Sequence, residues 1–302
     1  MDLGEEVKTP IRYAGGKSKA YNKINKHLPF FQKPKRIISP FMGGGSLEVR
    51  WASEMGIPVL GFDVFWCLTN YWKNQLNNPR EIYEVLNSLE CNKESYKEIK
   101  EELQQWSRVQ ELFTEWPTEY YKREPKEISD LLGAAYYFFS HNLSYGPMFM
   151  GWFSSIYNDK KKYTKMIERV RDFSCPNLQV ENKSFEEVIP NFPNDMIYLD
   201  PPYYMKKDED NKMFKGIYPN SNFAVHHNSF DHELLRDLLH NHKGSFVLSY
   251  NNCETIREYY KDFKQVFPDW KYSYGQGETR IGKNRTDGKI TKESHEILII
   301  KE

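Results

Sequence analysis

Apolar runs of four to six residues recur near both ends of the chain, separated by glycine-rich turns and by segments with helical spacing. Met196-Ile197-Tyr198-Leu199 contains neither glycine nor proline and predicts a buried strand with Asp200 at its carboxyl end. Arg36 to Ser39 and Pro58 to Phe62 predict two more strands, with a glycine-rich turn (40–46) and a short helix (47–52) between them. Further strands are expected at 178–181, 184–185, 245–250 and 296–300. Helices are expected over 19–27, around Leu234, Leu235, Leu238 and Leu239, and over 253–260. Strand, turn and helix in alternation read as an α/β fold, which sets its chemistry at the carboxyl ends of the strands.

The texture changes between about 75 and 175. Ile82, Val85, Leu86 and Leu89 fall at helical spacing, and the Glu-, Lys- and Leu-rich segment 81–110 reads as one helix, its apolar face prolonged by Trp106, Phe113 and Trp116. Leu131 to Phe139 predicts a second helix, broken by Ser140 to Pro147. Lys160, Lys161, Lys162, Lys165, Arg169 and Arg171 follow, with Tyr157 and Tyr163 interleaved; this is either a solvated helix face or a phosphate-contacting surface. The polar segment 205–225 and the Gly- and Lys/Arg-rich segment 275–292 read as loops. The chain therefore divides into 1–75, a helical insertion at 76–175, and 176–302.

Composition narrows the function classes. Across 302 residues, 42 basic residues balance 42 acidic ones, so any attraction to nucleic acid must be local. No apolar run approaches the roughly 18 residues of a membrane span, and the acidic start, Met1 to Glu6, lacks the apolar core of a secretion signal. A soluble, cytoplasmic protein is expected. Cys67, Cys91, Cys175 and Cys253 form no CxxC pair, which argues against a zinc site and against a disulfide framework.

Three blocks carry chemistry. In Tyr13-Ala14-Gly15-Gly16-Lys17 the glycines allow close backbone approach to a ligand, and the lysine adds a positive charge. Phe41-Met42-Gly43-Gly44-Gly45-Ser46 follows the first strand, and Asp63 ends the next one, about the spacing at which nucleotide-binding folds set a carboxylate on ribose hydroxyls. Three consecutive glycines do not make the GxGxxG of a pyrophosphate site; an adenosine with an amino-acid tail, as in S-adenosylmethionine, suits the turn better. In Asp200-Pro201-Pro202-Tyr203 the prolines stiffen the backbone and leave carbonyls without ladder partners. A carboxylate, a carbonyl and an aromatic face then suit a flat molecule that bears an amino group.

In this order the blocks resemble the DNA adenine methyltransferase (Dam) family of N6-adenine methylases. The resemblance covers roughly 11–66 and 178–252. It implies a Rossmann-like S-adenosylmethionine-dependent methyltransferase sheet with an inserted, mainly helical target-recognition domain. Tyr13, Ala14, Gly15, Lys17, Phe41, Gly43, Gly44, Gly45, Ser46, Asp63, Phe185 and Asp200 would then hold S-adenosylmethionine, with Asp63 on the ribose and Phe185 beside the adenine. Asp200 and the Pro201 carbonyl would accept from the target amine while Tyr203 stacks on the base.

Arg12, Asn142, Tyr145, Lys160, Lys161 and Lys162 would face DNA. Tyr13 stands where many relatives carry tryptophan, and Ser184 where many carry aspartate. Double-stranded DNA is the implied partner, with a cognate restriction endonuclease as a further one. A cytosine-N4 or RNA-adenine methylase would present an amino group to the same site, and a non-catalytic nucleic-acid-binding α/β protein would use Asp200 structurally.

Overall fold

The computed structural model describes residues 7–13, 15–28, 34–111, 128–146, 149–204, 230–268, 271–273, 291–293 and 296–302. Ala14, Phe113, Trp116, Pro147, the 205–225 loop and most of 275–292 lie outside the described residues.

Seven strands form one sheet in the order β3-β2-β1-β4-β5-β9-β6. They are β1 (Ile37–Ser39), β2 (Val59–Asp63), β3 (Leu178–Asn182), β4 (Met196–Leu199), β5 (Phe246–Asn251), β6 (Lys264–Val266) and β9 (Glu296–Lys301). β7 (Lys271–Ser273) and β8 (Thr291–Glu293) pair separately. The first five strands run parallel, and β9 is antiparallel to both β5 and β6. The order is that of a doubly wound sheet with one antiparallel strand wedged near its end. Strand order reverses between β1 and β4, which makes the carboxyl ends of these two strands the switch point where ligands bind.

Alternating residues of the central strands feed two cores. Ile37, Met196, Tyr198 and Val247 join one, while Ile38, Ile197, Leu199, Phe246 and Leu248 join the other. Coverage on both faces explains why these strands read as continuous apolar runs. The second core is covered by α8 (Phe185–Asn191), α9 (His232–Asn241) and α10 (Glu254–Tyr259). The first is covered by α1 (Tyr21–Asn25), α2 (Glu48–Glu54) and α3 (Trp66–Asn77), and continues without a break through α4 (Pro79–Ser88), α5 (Lys93–Glu111), α6 (Asp130–Asn142) and α7 (Lys160–Asp172). Gln75 on α3 donates to the Val170 carbonyl at 2.8 Å, tying the sheet-bound helix to α7.

Several expectations are corrected. The single helix over 81–110 is two, because Asn92 caps a new start by accepting from the Ser95 amide at 2.8 Å. Ser140 to Asn142 do not break α6 but form its last turn, and the chain leaves the helix at Leu143. Ser184 and Phe185 are not a strand: the Ser-x-x-Glu pattern opens α8, with the Ser184 amide donating to the Glu187 carboxylate at 3.2 Å. The first helix begins as a 3₁₀ turn, Ser18–Ala20, before α1. Helix α3 and strand β6, which the apolar pattern left unassigned, complete the sheet's surroundings.

Candidate active site

The glycine turn leaves β1 and is held from three sides. Gly43 and Gly45 have φ of +49° and +63°, the left-handed region that glycine reaches without strain. At Gly44 the reason is proximity: an added Cβ would lie 2.3 Å from the Tyr13 Cβ, so the Tyr13 block packs directly on the turn. Trp72 on α3 donates its indole N–H to the Gly43 carbonyl at 3.0 Å. Ser46 Oγ accepts from the Lys17 amide at 2.9 Å, stitching the N-terminal block to the turn.

Asp63, at the end of β2, accepts from the Gly43 amide at 3.0 Å and from the Phe65 amide at 2.9 Å. Beside it Phe41, Phe185 and Phe230 form an aromatic trio, with ring centroids 5.6, 5.7 and 5.1 Å apart. Phe230, just ahead of α9, is a member that the motifs did not suggest. A glycine cradle, a carboxylate at a strand end and an apolar aromatic slot are the parts that an adenosine-bearing cofactor needs.

Asp200 stands at the end of β4, next to that cradle. Lys17 does not point toward the turn: its ammonium donates to both carboxylate oxygens of Asp200, each at 2.9 Å, and to the Tyr203 hydroxyl at 3.1 Å. It also lies 3.5 Å from the carboxylate of Glu296, the first residue of β9. Tyr203 donates its hydroxyl to Glu296, and Ser249 on β5 donates to the other Glu296 oxygen at 3.2 Å. Lys17 is only 4 % exposed and Glu296 6 %, so this is a buried cluster that opens to solvent at Asp200.

Burial pushes Asp200 up to about 6; the Lys17 charge opposes the rise and the Glu296 charge adds to it. Beneath it, buried Glu48 accepts from Ser39 Oγ at 2.7 Å and from the Leu47 amide at 3.2 Å, and burial pushes it up to about 7. Among the described residues, the buried Tyr198 hydroxyl has no hydrogen-bond partner; Asp200, Lys17, Glu48 and Glu296 all act on it electrostatically.

The backbone after Asp200 is fixed by Asn251. Its side-chain oxygen accepts from the Tyr204 amide and its nitrogen donates to the Tyr204 carbonyl, both at 2.9 Å, which ties the chain just past the two prolines to the end of β5. Pro201 is buried, and Tyr203 and Tyr204 are partly so.

The residues expected at DNA divide into two groups. Asn142 is fully buried: it accepts from the Arg12 amide at 2.8 Å and donates to the Phe138 carbonyl at 3.3 Å, so it fixes the N-terminal block. Arg12 reaches the Asn142 carbonyl and the Tyr157 hydroxyl. His141 donates from Nε2 to the Arg12 carbonyl and stacks on Tyr13 and Tyr137; burial lowers it to about 4, which keeps it neutral. Tyr145, Lys160, Lys161 and Lys162 are exposed, and so are Trp152, at 83 %, and Ile156. Tyr145 and Trp152 flank the bridge between Ser144 and Phe153.

A doubly wound sheet whose switch point brings a glycine turn and a strand-end carboxylate close to an acidic, proline-stiffened strand end has the layout of an α/β enzyme site. The family model for D12 class N6 adenine-specific DNA methyltransferases matches residues 13–274, and the chain belongs to that family. No curated protein matches the chain. It is thus an enzyme that methylates adenine N6 in DNA with the help of a methyl donor; cytosine-N4, RNA and non-catalytic roles are not favoured. No described helix is long and apolar enough to cross a membrane, and no group of three or more His, Cys, Asp or Glu among the described residues could hold a metal ion.

Proposed function

We propose that the chain uses S-adenosylmethionine and acts on an adenine turned out of duplex DNA, at sites selected by the 76–175 insertion. What carries this reading is the adjacency of the Gly43–Gly45 cradle to Asp200 across the β1/β4 switch point. S-adenosylmethionine would supply a methyl group on a positively charged sulfur. Asp63 would hold its ribose, Gly43, Gly44, Gly45 and Tyr13 its amino-acid end, and Phe41, Phe185 and Phe230 its adenine.

Adenine N6 is a poor nucleophile because its lone pair is delocalised into the ring. Asp200 and the Pro201 carbonyl, held by the Asn251 clamp, would accept its two N–H bonds and favour a pyramidal amine. The negative charge of Asp200 would stabilise the positive charge that grows on nitrogen. N6 lies inside the duplex, so the base must leave the stack, and stacking on Tyr203 offsets part of that cost, roughly 1–3 kcal/mol.

The exposed Tyr145, Trp152 and Ile156, followed directly by Lys160, Lys161 and Lys162, support a DNA-facing surface of apolar wedges beside a basic helix start. A cognate restriction endonuclease and a cytoplasmic setting belong to the same reading; the four cysteines form no disulfide, which suits a reducing compartment.

Incubation with tritiated S-adenosylmethionine and unmethylated duplex DNA should label adenine as N6-methyladenine, read by mass spectrometry of the digested product. Asp63→Ala should weaken cofactor binding by roughly tenfold to a hundredfold with DNA affinity unchanged; equal loss of both would reject its ribose role. Replacing Lys160, Lys161 and Lys162 together by glutamine should flatten the slope of log affinity against log salt by about 2 to 3. An unchanged slope would return these lysines to a solvated helix face.

A further inference from the structure

The strand β9 enters the site through one polar residue. Among Glu296, Ile297, Leu298, Ile299 and Ile300, all buried, only the glutamate is charged, and it stands at the end of the strand beside Asp200. Its surroundings are specific: the Tyr203 hydroxyl donates to one oxygen, Ser249 Oγ to the other at 3.2 Å, and the Lys17 ammonium lies 3.5 Å away.

This arrangement bears on a difficulty in the site. Lys17 holds both oxygens of Asp200 at 2.9 Å, and an ammonium in that position cancels the charge that Asp200 must show to an amine turning cationic. Two carboxylates around one ammonium leave the cluster with excess negative charge, and Glu296 offers Lys17 a second seat within reach. We propose that Glu296 is a positioning residue of methyl transfer: it draws the Lys17 ammonium off Asp200 when the target amine docks, so that Asp200 meets that amine as a charged acceptor, and it fixes Tyr203 through its hydroxyl.

The inference rests on Asp200 being the acceptor for N6, as proposed above. Glu296 acts through Lys17, Tyr203 and Asp200 and touches neither the base nor the methyl donor.

Glu296→Gln tests it, because the amide removes the charge while its oxygen can still accept from Tyr203 and its nitrogen can donate to Ser249 Oγ. Methyl transfer to unmethylated duplex DNA from tritiated S-adenosylmethionine should show kcat lower by roughly tenfold to a hundredfold, with KM for DNA unchanged. The acid limb of the kcat profile should also move to lower pH, since the Glu296 charge is one of the influences that raise Asp200. The other groups acting there are Lys17 from the N-terminal block, Glu48 from α2, and Tyr198 and Tyr203 on either side of Asp200; all are left in place. Glu296→Asp, which keeps the charge, should recover part of kcat and return the limb toward its original position.

A folded Glu296→Gln enzyme with wild-type kcat and an unmoved limb would overturn the proposal. Should that variant not fold, Glu296→Asp decides alone: its shorter side chain keeps the charge but sets it farther from the Lys17 ammonium, so kcat below wild type supports the proposal and wild-type kcat overturns it. If the wild-type protein itself transfers no label to DNA, it is the functional reading that fails rather than the role of Glu296.

Discussion

Asp200→Asn should lower methyl transfer by roughly a thousandfold or more while cofactor and DNA titrations stay near wild type. Asparagine keeps the shape of the side chain and can still accept one hydrogen bond, but it cannot balance the charge that grows on N6. The loss should therefore appear in kcat and not in KM. Near neutral pH the fold should not be weakened, because Lys17 keeps Glu296 as a partner and the neutral amide is spared the burial cost that raises Asp200.

The pH dependence follows from the same group. Asp200 titrates in the fold at about 6, above its ordinary value of 3.8, so wild-type activity should fall as pH drops through about 6. Its ionisation disfavours the folded state. Wild-type stability therefore declines as pH rises from the ordinary carboxylate value through 6, and the asparagine variant should lack that decline. Rates and urea melts between pH 4.5 and 8, values chosen roughly to bracket that transition, check both. A variant that still turns over near wild type would remove Asp200 from the reaction.

Lys17→Met should strongly destabilise the fold. Lys17 is the cation between two carboxylates, and methionine fills its volume while leaving Asp200 and Glu296 facing one another in a buried setting. Breaking a buried pair by removing one partner costs about 3–5 kcal/mol. Without the Lys17 charge, which holds Asp200 down, the folded-state titration of Asp200 moves further up. The destabilisation is then complete above that raised value and is relieved as pH falls and the carboxyl takes up a proton. Urea melts should show a clearly larger gap between variant and wild type at pH 8 than at pH 5; an equal gap at both would mean that lost packing, not uncompensated charge, destabilises the variant.

Part of this site was legible in the chain before any fold was known. The run Met196 to Leu199 ending in Asp200 is a strand with those bounds, because four apolar residues buried on both faces leave no other periodicity to compete. Gly43, Gly44 and Gly45 marked a turn after the first strand, and the structure gives the reason in two positive φ values and in the packing of Tyr13 on Gly44. Local signals misled where a short polar pattern had two meanings. Ser184-Phe185 lacks length to distinguish a strand from a helix start, and the Glu187 contact decides it. Lys17 is the fuller case: its neighbours in sequence are the glycines of the cradle, yet its ammonium lies against Asp200, 183 positions away.

The sequence by itself determined the alternation of strands and helices, the glycine turn, and the carboxylate that ends β4, because each follows from period, backbone freedom or proline stiffness within a few residues. Only the tertiary structure decided which charges meet. Glu296 reads locally as the polar start of an apolar strand, and it becomes part of the site because β9 runs antiparallel beside β5 and brings its first residue to the carboxyl end of β4. Lys17, Glu48 and Asn251 arrive there in the same way, from segments far apart in the chain, and electrostatics among buried groups depends on distance in space alone.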